Sequence, residues 1–130
     1  KICSPKGFEA DLKIVEKAKS LSEFGSEISI CNDPYEAVKE AEVIYTDVWA
    51  SMGQEEEHLK RKTIFDKYKV DQKLIDLADN EVILLHCLPA HRGEEITEEA
   101  LESRKSYVFD QAENRLHVQQ ALLAVQLGGL

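Results

Sequence analysis

The stretch "EVILLHC", Glu81 to Cys87, is an unbroken apolar run from Val82 to Leu85 that ends in a histidine and a cysteine. A strand with one wet face alternates apolar and polar residues. A strand covered on both faces need not, and such strands belong to parallel sheets flanked by helices. Leu88-Pro89 follows at once, so the strand stops there and the backbone turns.

Upstream, Gln54 to about Ala78 is polar and charged and predicts one or two helices, broken near Val70. Val43 to Thr46 is the preceding strand. "NDPYEAVKEA" predicts a short helix with Asp33 as N-cap, Pro34 at the first helical position and Glu36 closing a capping box. "EISIC" is rich in β-branched residues, as strands are. Phe8, Leu12, Val15 and Ala18 recur at helical spacing from Phe8 to Leu21, with Gly25 as the stop; Ile2 and Cys3 read as the end of a strand.

Downstream come a loop, a short helix capped by Thr97, a strand at Tyr107 to Phe109, and a last helix from Asp110 with Glu113 in a second capping box. Strands alternating with helices predict right-handed crossovers: an α/β fold with a doubly wound, mainly parallel sheet in a Rossmann-like three-layer arrangement. The 130 residues suit one domain, 1–130, without repeats or linkers.

A formal net charge of -9 argues against a nucleic-acid partner, and no apolar run approaches the roughly 20 residues that span a bilayer. There is no basic-then-apolar leader, and three widely spaced cysteines make no disulfide framework, so a reducing, cytoplasmic setting is expected. Cys3 and Cys31 are expected to be packing residues.

Ligands of such sheets bind beyond the carboxyl ends of the strands. Three polar groups belong there: Asp47, the His86–Cys87 pair, and the Asp110 to Arg115 segment. Asp47 either holds a ligand amine or organises a turn. Ser51 either touches a ligand or caps a helix through "SMGQ", a capping box with Gln54. Cys87 is either a small buried hydrophobe or a reactive thiol, whose pKa a nearby cation or helix N-terminus would lower. His86, Cys87 and His91 together suggest a metal site, but His86 and Cys87 are expected to point to opposite faces of the extended chain, and His58 and His117 to lie in helices without ligand spacing, so neither a metal nor a cofactor is expected. Arg115, close behind the expected Asp110 cap, would set a guanidinium beside free helix N–H groups, an anion-binding pairing, unless it is a surface arginine paired with an acid.

"DVWASMG", "HCLPAHRGEE" and "DQAENRLH", in this order and spacing, resemble ornithine carbamoyltransferase, over a stretch similar to most of its C-terminal, ornithine-binding domain. The resemblance implies transfer of the carbamoyl group of carbamoyl phosphate to the δ-amine of ornithine, giving citrulline and phosphate, in arginine biosynthesis. It implies that Asp47 and Ser51 hold the amino-acid end of ornithine with help from the Met52 backbone, and that the "SMG" loop closes as a lid. It puts Cys87 by the amine, has the Leu88 carbonyl orient the reacting groups, makes Leu88-Pro89 cis, and gives Arg115 to carbamoyl phosphate and the developing oxyanion. A thiolate of Cys87 beside Asp47 would orient or deprotonate the amine.

The Ser-x-x-Arg-Thr motif of the family's N-terminal carbamoyl-phosphate domain is absent, as is a strand with an ornithine-contacting Asn that should precede Lys1. That strand would be the first of the sheet and central in it. The expected molecule is therefore a fragment with little activity alone, and a homo-oligomer, since the family forms trimers or multiples of them. Two other readings stay open: a folded fragment that only binds ornithine or self-assembles through its last helix, and a hydrolase built on Cys87 and a base histidine.

Overall fold

The computed structural model describes residues 1–50 and 55–128. Elements follow as β1 (Ile2–Cys3), α1 (Leu12–Ser20), β2 (Ile30–Cys31), α2 (Pro34–Ala37), β3 (Val43–Thr46), α3 (Glu55–Phe65), α4 (Gln72–Ile75), β4 (Ile83–His86), α5 (Glu98–Leu101) and α6 (Val108–Gln126). A 3₁₀ turn, Asp66–Tyr68, and a bridge between Val70 and Ile96 separate α3 from α4, at the expected break.

The strands pair in parallel, β1 with β2 and β3 with β4, so the chain is α/β and Rossmann-like in its crossovers. Among the described residues they form two two-stranded sheets rather than one. A cleft of about 590 Å³ lies between them, lined from one side by Lys1 and Cys3 and from the other by Val43 to Thr46. The edge of β3 is consequently wet, with Val43 and Tyr45 exposed.

The core is gathered on the second sheet. Ile44 and Leu84 pack with Val70, Leu74, Ile75, Val82, Ile96, Ala100, Leu101 and Val108, all buried. Side-chain caps start the short helices that cover it: Asp71 accepts from the Leu74 N–H and Thr97 from the Ala100 N–H, each satisfying an otherwise orphaned donor. Asp33 caps α2 with Pro34 at its first position, as expected. Glu36 does not close a capping box; it pairs with Lys39 at 2.7 Å.

Three further expectations need correction. The first helix spans Leu12–Ser20, capped by Asp11, with only Val15 buried; Phe8 lies outside it and packs edge-on to Phe65 at 5.0 Å. The strand expected at Tyr107 to Phe109 is a short pairing one step earlier. Leu84 N–H donates to the Lys105 carbonyl and Tyr107 N–H to the Leu84 carbonyl, and the chain then turns into helix. The last helix therefore begins at Val108 with Tyr107 in the cap position, so Asp110 lies in its first turn rather than capping it, and Glu113 faces His117 instead of a cap.

Candidate active site

In-register parallel pairing decides what meets at the strand ends. Thr46 and His86 are the last partners of β3 and β4, so the residues that follow them, Asp47 and Cys87, emerge side by side. The Cys87 thiol donates to Asp47 Oδ1 at 3.0 Å, and the same oxygen accepts the Val48 N–H at 2.7 Å. The bond to Asp47, with burial and the carboxylate's charge behind it, pushes the Cys87 thiol up from its ordinary value. This corrects the expectation of a thiolate: beside a carboxylate, the neutral thiol is the favoured form.

His86 is fully buried and has no free nitrogen. The Leu88 N–H can only donate, so His86 Nδ1, 2.8 Å away, must be an acceptor. The proton then sits on Nε2, facing Glu95 Oε1 at 3.1 Å. Asp47, His86 and Cys87 do offer one donor atom each within 4.8 Å, because the chain leaves extended geometry after His86. Opposite faces were therefore the wrong expectation. Both ring nitrogens are nevertheless engaged, which also removes His86 as the base a Cys87 hydrolase would need.

Those bonds shape the turn. Leu88 adopts a left-handed backbone, φ 53°, which costs a side-chain-bearing residue energy, and Leu88-Pro89 is cis. The His86–Leu88 bond and the Glu95 carboxylate, which also accepts the His91 N–H, hold the segment from both ends.

Arg115 is exposed and lines an open groove of about 670 Å³ with Cys87, Leu88, Pro89, Ala112 and Leu116. It faces the turn but not a helix N-terminus. With α6 starting at Val108, Arg115 lies about two turns along, roughly 10 Å from the free N–H groups. Ser51 and Met52, with Gly53 and Gln54 of the expected capping box and lid, lie outside the described residues.

Three residues of this region escaped the sequence reading. Gln111 accepts the His86 N–H at 3.0 Å and donates to the Tyr45 hydroxyl at 3.1 Å, locking α6 to both strands. Glu95 is a buried carboxylate under the turn, hidden within an acidic run that suggested a solvated face. Arg61 donates to the Trp49 carbonyl at 3.0 Å and fixes the chain after Asp47; its pairing with Glu57, four residues earlier, was the one legible sign.

A parallel α/β domain with a carboxylate, a thiol and a guanidinium gathered beyond its strand ends belongs to the ligand-binding class of doubly wound folds. Residues 1–126 match the family model described as "Aspartate/ornithine carbamoyltransferase, Asp/Orn binding domain", and the chain belongs to that family. It is 63% identical over 129 residues to an ornithine carbamoyltransferase of Prochlorococcus marinus, covering 99% of this chain and 41% of that protein. The solved ornithine carbamoyltransferase of Pyrococcus furiosus superposes with a TM-score of 0.89 at 48% identity, over 98% of this chain and 41% of the other. An N-acetyl-L-ornithine transcarbamylase structure is similar at 28% identity and a TM-score of 0.78, over 95% and 38%. The chain thus spans about two fifths of the length of the relatives it matches.

Proposed function

We propose that this chain is the ornithine-binding part of an ornithine carbamoyltransferase, which moves the carbamoyl group of carbamoyl phosphate onto the δ-amine of ornithine. The convergence of Asp47, Cys87 and Leu88 across a single parallel register supports this most directly. Asp47 is an exposed carboxyl side chain, a partner for the α-amino group of ornithine, and the family resemblance assigns Ser51 and the Met52 backbone to the same end of the substrate. Cys87 lies next to the reacting amine as a neutral thiol, which accepts or donates a hydrogen bond without becoming acylated. The amine must lose a proton to attack, and the Leu88 carbonyl orients it. Arg115 supplies charge-assisted hydrogen bonds to carbamoyl phosphate and to the carbonyl oxygen as it turns anionic.

Half of this chemistry belongs to a part of the longer protein outside this chain. In that protein a further strand fills the cleft between β1 and β3, and a carbamoyl-phosphate domain faces Arg115; the cytoplasm is its proposed location and a homo-oligomer its proposed assembly. Among the described residues no helix is long and apolar enough to cross a membrane. Citrulline formation should be negligible with this chain alone and should appear when the missing part of a relative is supplied. Turnover by the 130-residue chain alone would overturn the division of labour, and no turnover in the reconstituted pair would overturn the assignment. The second reading, a module that binds without catalysing, predicts calorimetric binding of norvaline to this chain, lost in Asp47→Ala.

A further inference from the structure

His58, in the first half of α3, meets His91 and Glu94 from the segment after the Leu88-Pro89 turn. One ring nitrogen of each histidine and one Glu94 oxygen lie within 4.8 Å of one another. His58 Nε2 is 2.8 Å from Glu94 Oε2, and the two imidazoles stand edge to face with centroids 6.2 Å apart. Helical spacing gave no hint of this, because the second histidine comes from a distant loop rather than from α3.

We propose that His58, His91 and Glu94 form a binding site for a divalent transition-metal ion of the zinc type. Two imidazoles and one carboxylate are a zinc donor set, leaving one position to water. In a tetrahedral site with ligand bonds of about 2.0 Å, donor atoms stand roughly 3.3 Å apart. The donor atoms, within 4.8 Å of one another, would draw together to that spacing on binding, and His91 is half-exposed.

An ordinary ion pair accounts for part of the cluster. Lys62 Nζ is 3.0 Å from Glu94 Oε1, and although burial pushes the Glu94 carboxyl up, Lys62 and His58 hold it below the usual carboxylate range. Glu94 is therefore an anion at neutral pH, with Oε2 turned to the histidines. What an ion pair leaves unexplained is the next residue. Glu95 is fully buried; its Oε1 serves His86 and the His91 N–H, but its Oε2 has no hydrogen-bond partner. That orphaned oxygen faces His91 Nδ1 at 3.9 Å. Metal-binding histidines donate their second ring N–H to a carboxylate, which fixes the tautomer and strengthens the ligand. A bond from His91 Nδ1–H would satisfy Glu95 Oε2 and would leave Nε2 for the ion. The bound ion would clamp α3 to the turn that carries Leu88.

The test is titration of the apo chain with cobalt(II) and with zinc(II), followed by visible absorption, calorimetry and thermal unfolding. The expected result is a single ion per chain, cobalt d–d bands without a sulfur-to-cobalt charge-transfer band, and a higher melting temperature. His58→Gln and His91→Gln should each weaken binding by about tenfold or more, while Cys87→Ser binds as the unaltered chain does. Circular dichroism of these surface variants separates lost binding from lost folding. Three results would overturn the proposal: unchanged affinity in His58→Gln, no binding at millimolar ion, or a charge-transfer band that Cys87→Ser abolishes, which would put the ion on Asp47, His86 and Cys87.

Discussion

Asp47 and Cys87 share one proton between a carboxylate and a sulfur, and that sharing has a measurable sign. The thiol is raised in the folded chain, so the bond contributes stability below the ordinary thiol range and loses it as pH rises through the raised value. Alkylation of Cys87 should therefore need a higher pH than alkylation of an unstructured cysteine. Asp47→Asn removes the charge and should move the alkylation profile down; an unmoved profile would show that Asp47 does not control the thiol. Beneath this pair, Glu95 accepts from His86 and from the His91 N–H. Glu95→Ala would strand the buried His86 ring donor, at about 1–3 kcal/mol, and remove the acceptor of the part-buried His91 N–H, and should lower the urea midpoint accordingly. That Asp47 and Cys87 would emerge side by side could be read from their positions at strand ends. Glu95 could not, because an acid in "RGEEITEE" looks the same whether it faces water or lies under a turn.

Helix α6 is attached at one end only. Val108 is buried and Gln111 holds His86 and Tyr45, whereas Leu116, Val118, Leu122, Leu123 and Val125 are all exposed. Amide exchange should accordingly be slow near Val108 and fast beyond Gln119. Gln111→Ala should cost about 1–2 kcal/mol and speed exchange through the whole helix. Element identity was legible wherever periodicity or a side-chain cap spoke locally, as at Pro34, Thr97 and the apolar run of β4. The error at Tyr107–Phe109 is instructive: Tyr107 caps and Val108 and Phe109 begin a helix despite their β propensity, because Val108 buries against β4 and Gln111 reaches back to it. Tertiary packing overrode propensity there. The shift also carried Arg115 away from the helix end where sequence spacing had put it.

At the scale of the molecule, the exposed leucines of α6 and the open edges of β1 and β3 predict self-association of this chain. Sedimentation should show mass rising with concentration, and a Leu122→Glu, Leu123→Glu double variant should shift it toward monomer. If the mass were unaffected, α6 would not be the contact. A strand from the longer protein occupying the cleft would remove one cause of that association, so reconstitution should lower the aggregation rate as well as supply activity. The doubly wound class was legible from the alternation of strands and helices. The separation into two two-stranded sheets was not legible in any local pattern: the family resemblance suggested only a missing first strand and left open whether the gap closes or stays open.

The cleft between the two sheets also divides the molecule's cooperativity. Every member of the main core cluster lies between Val38 and Val108. Residues 1–37 are tied to that body by Phe8 against Phe65, by the Tyr68 hydroxyl on the Asn32 carbonyl at 2.6 Å, and by Lys1 on the Lys39 carbonyl at 3.2 Å. Such a chain should melt in two units rather than one: a urea titration is expected to release β1, α1 and β2 first, in little denaturant, with a later transition that reports the surface folded around β4.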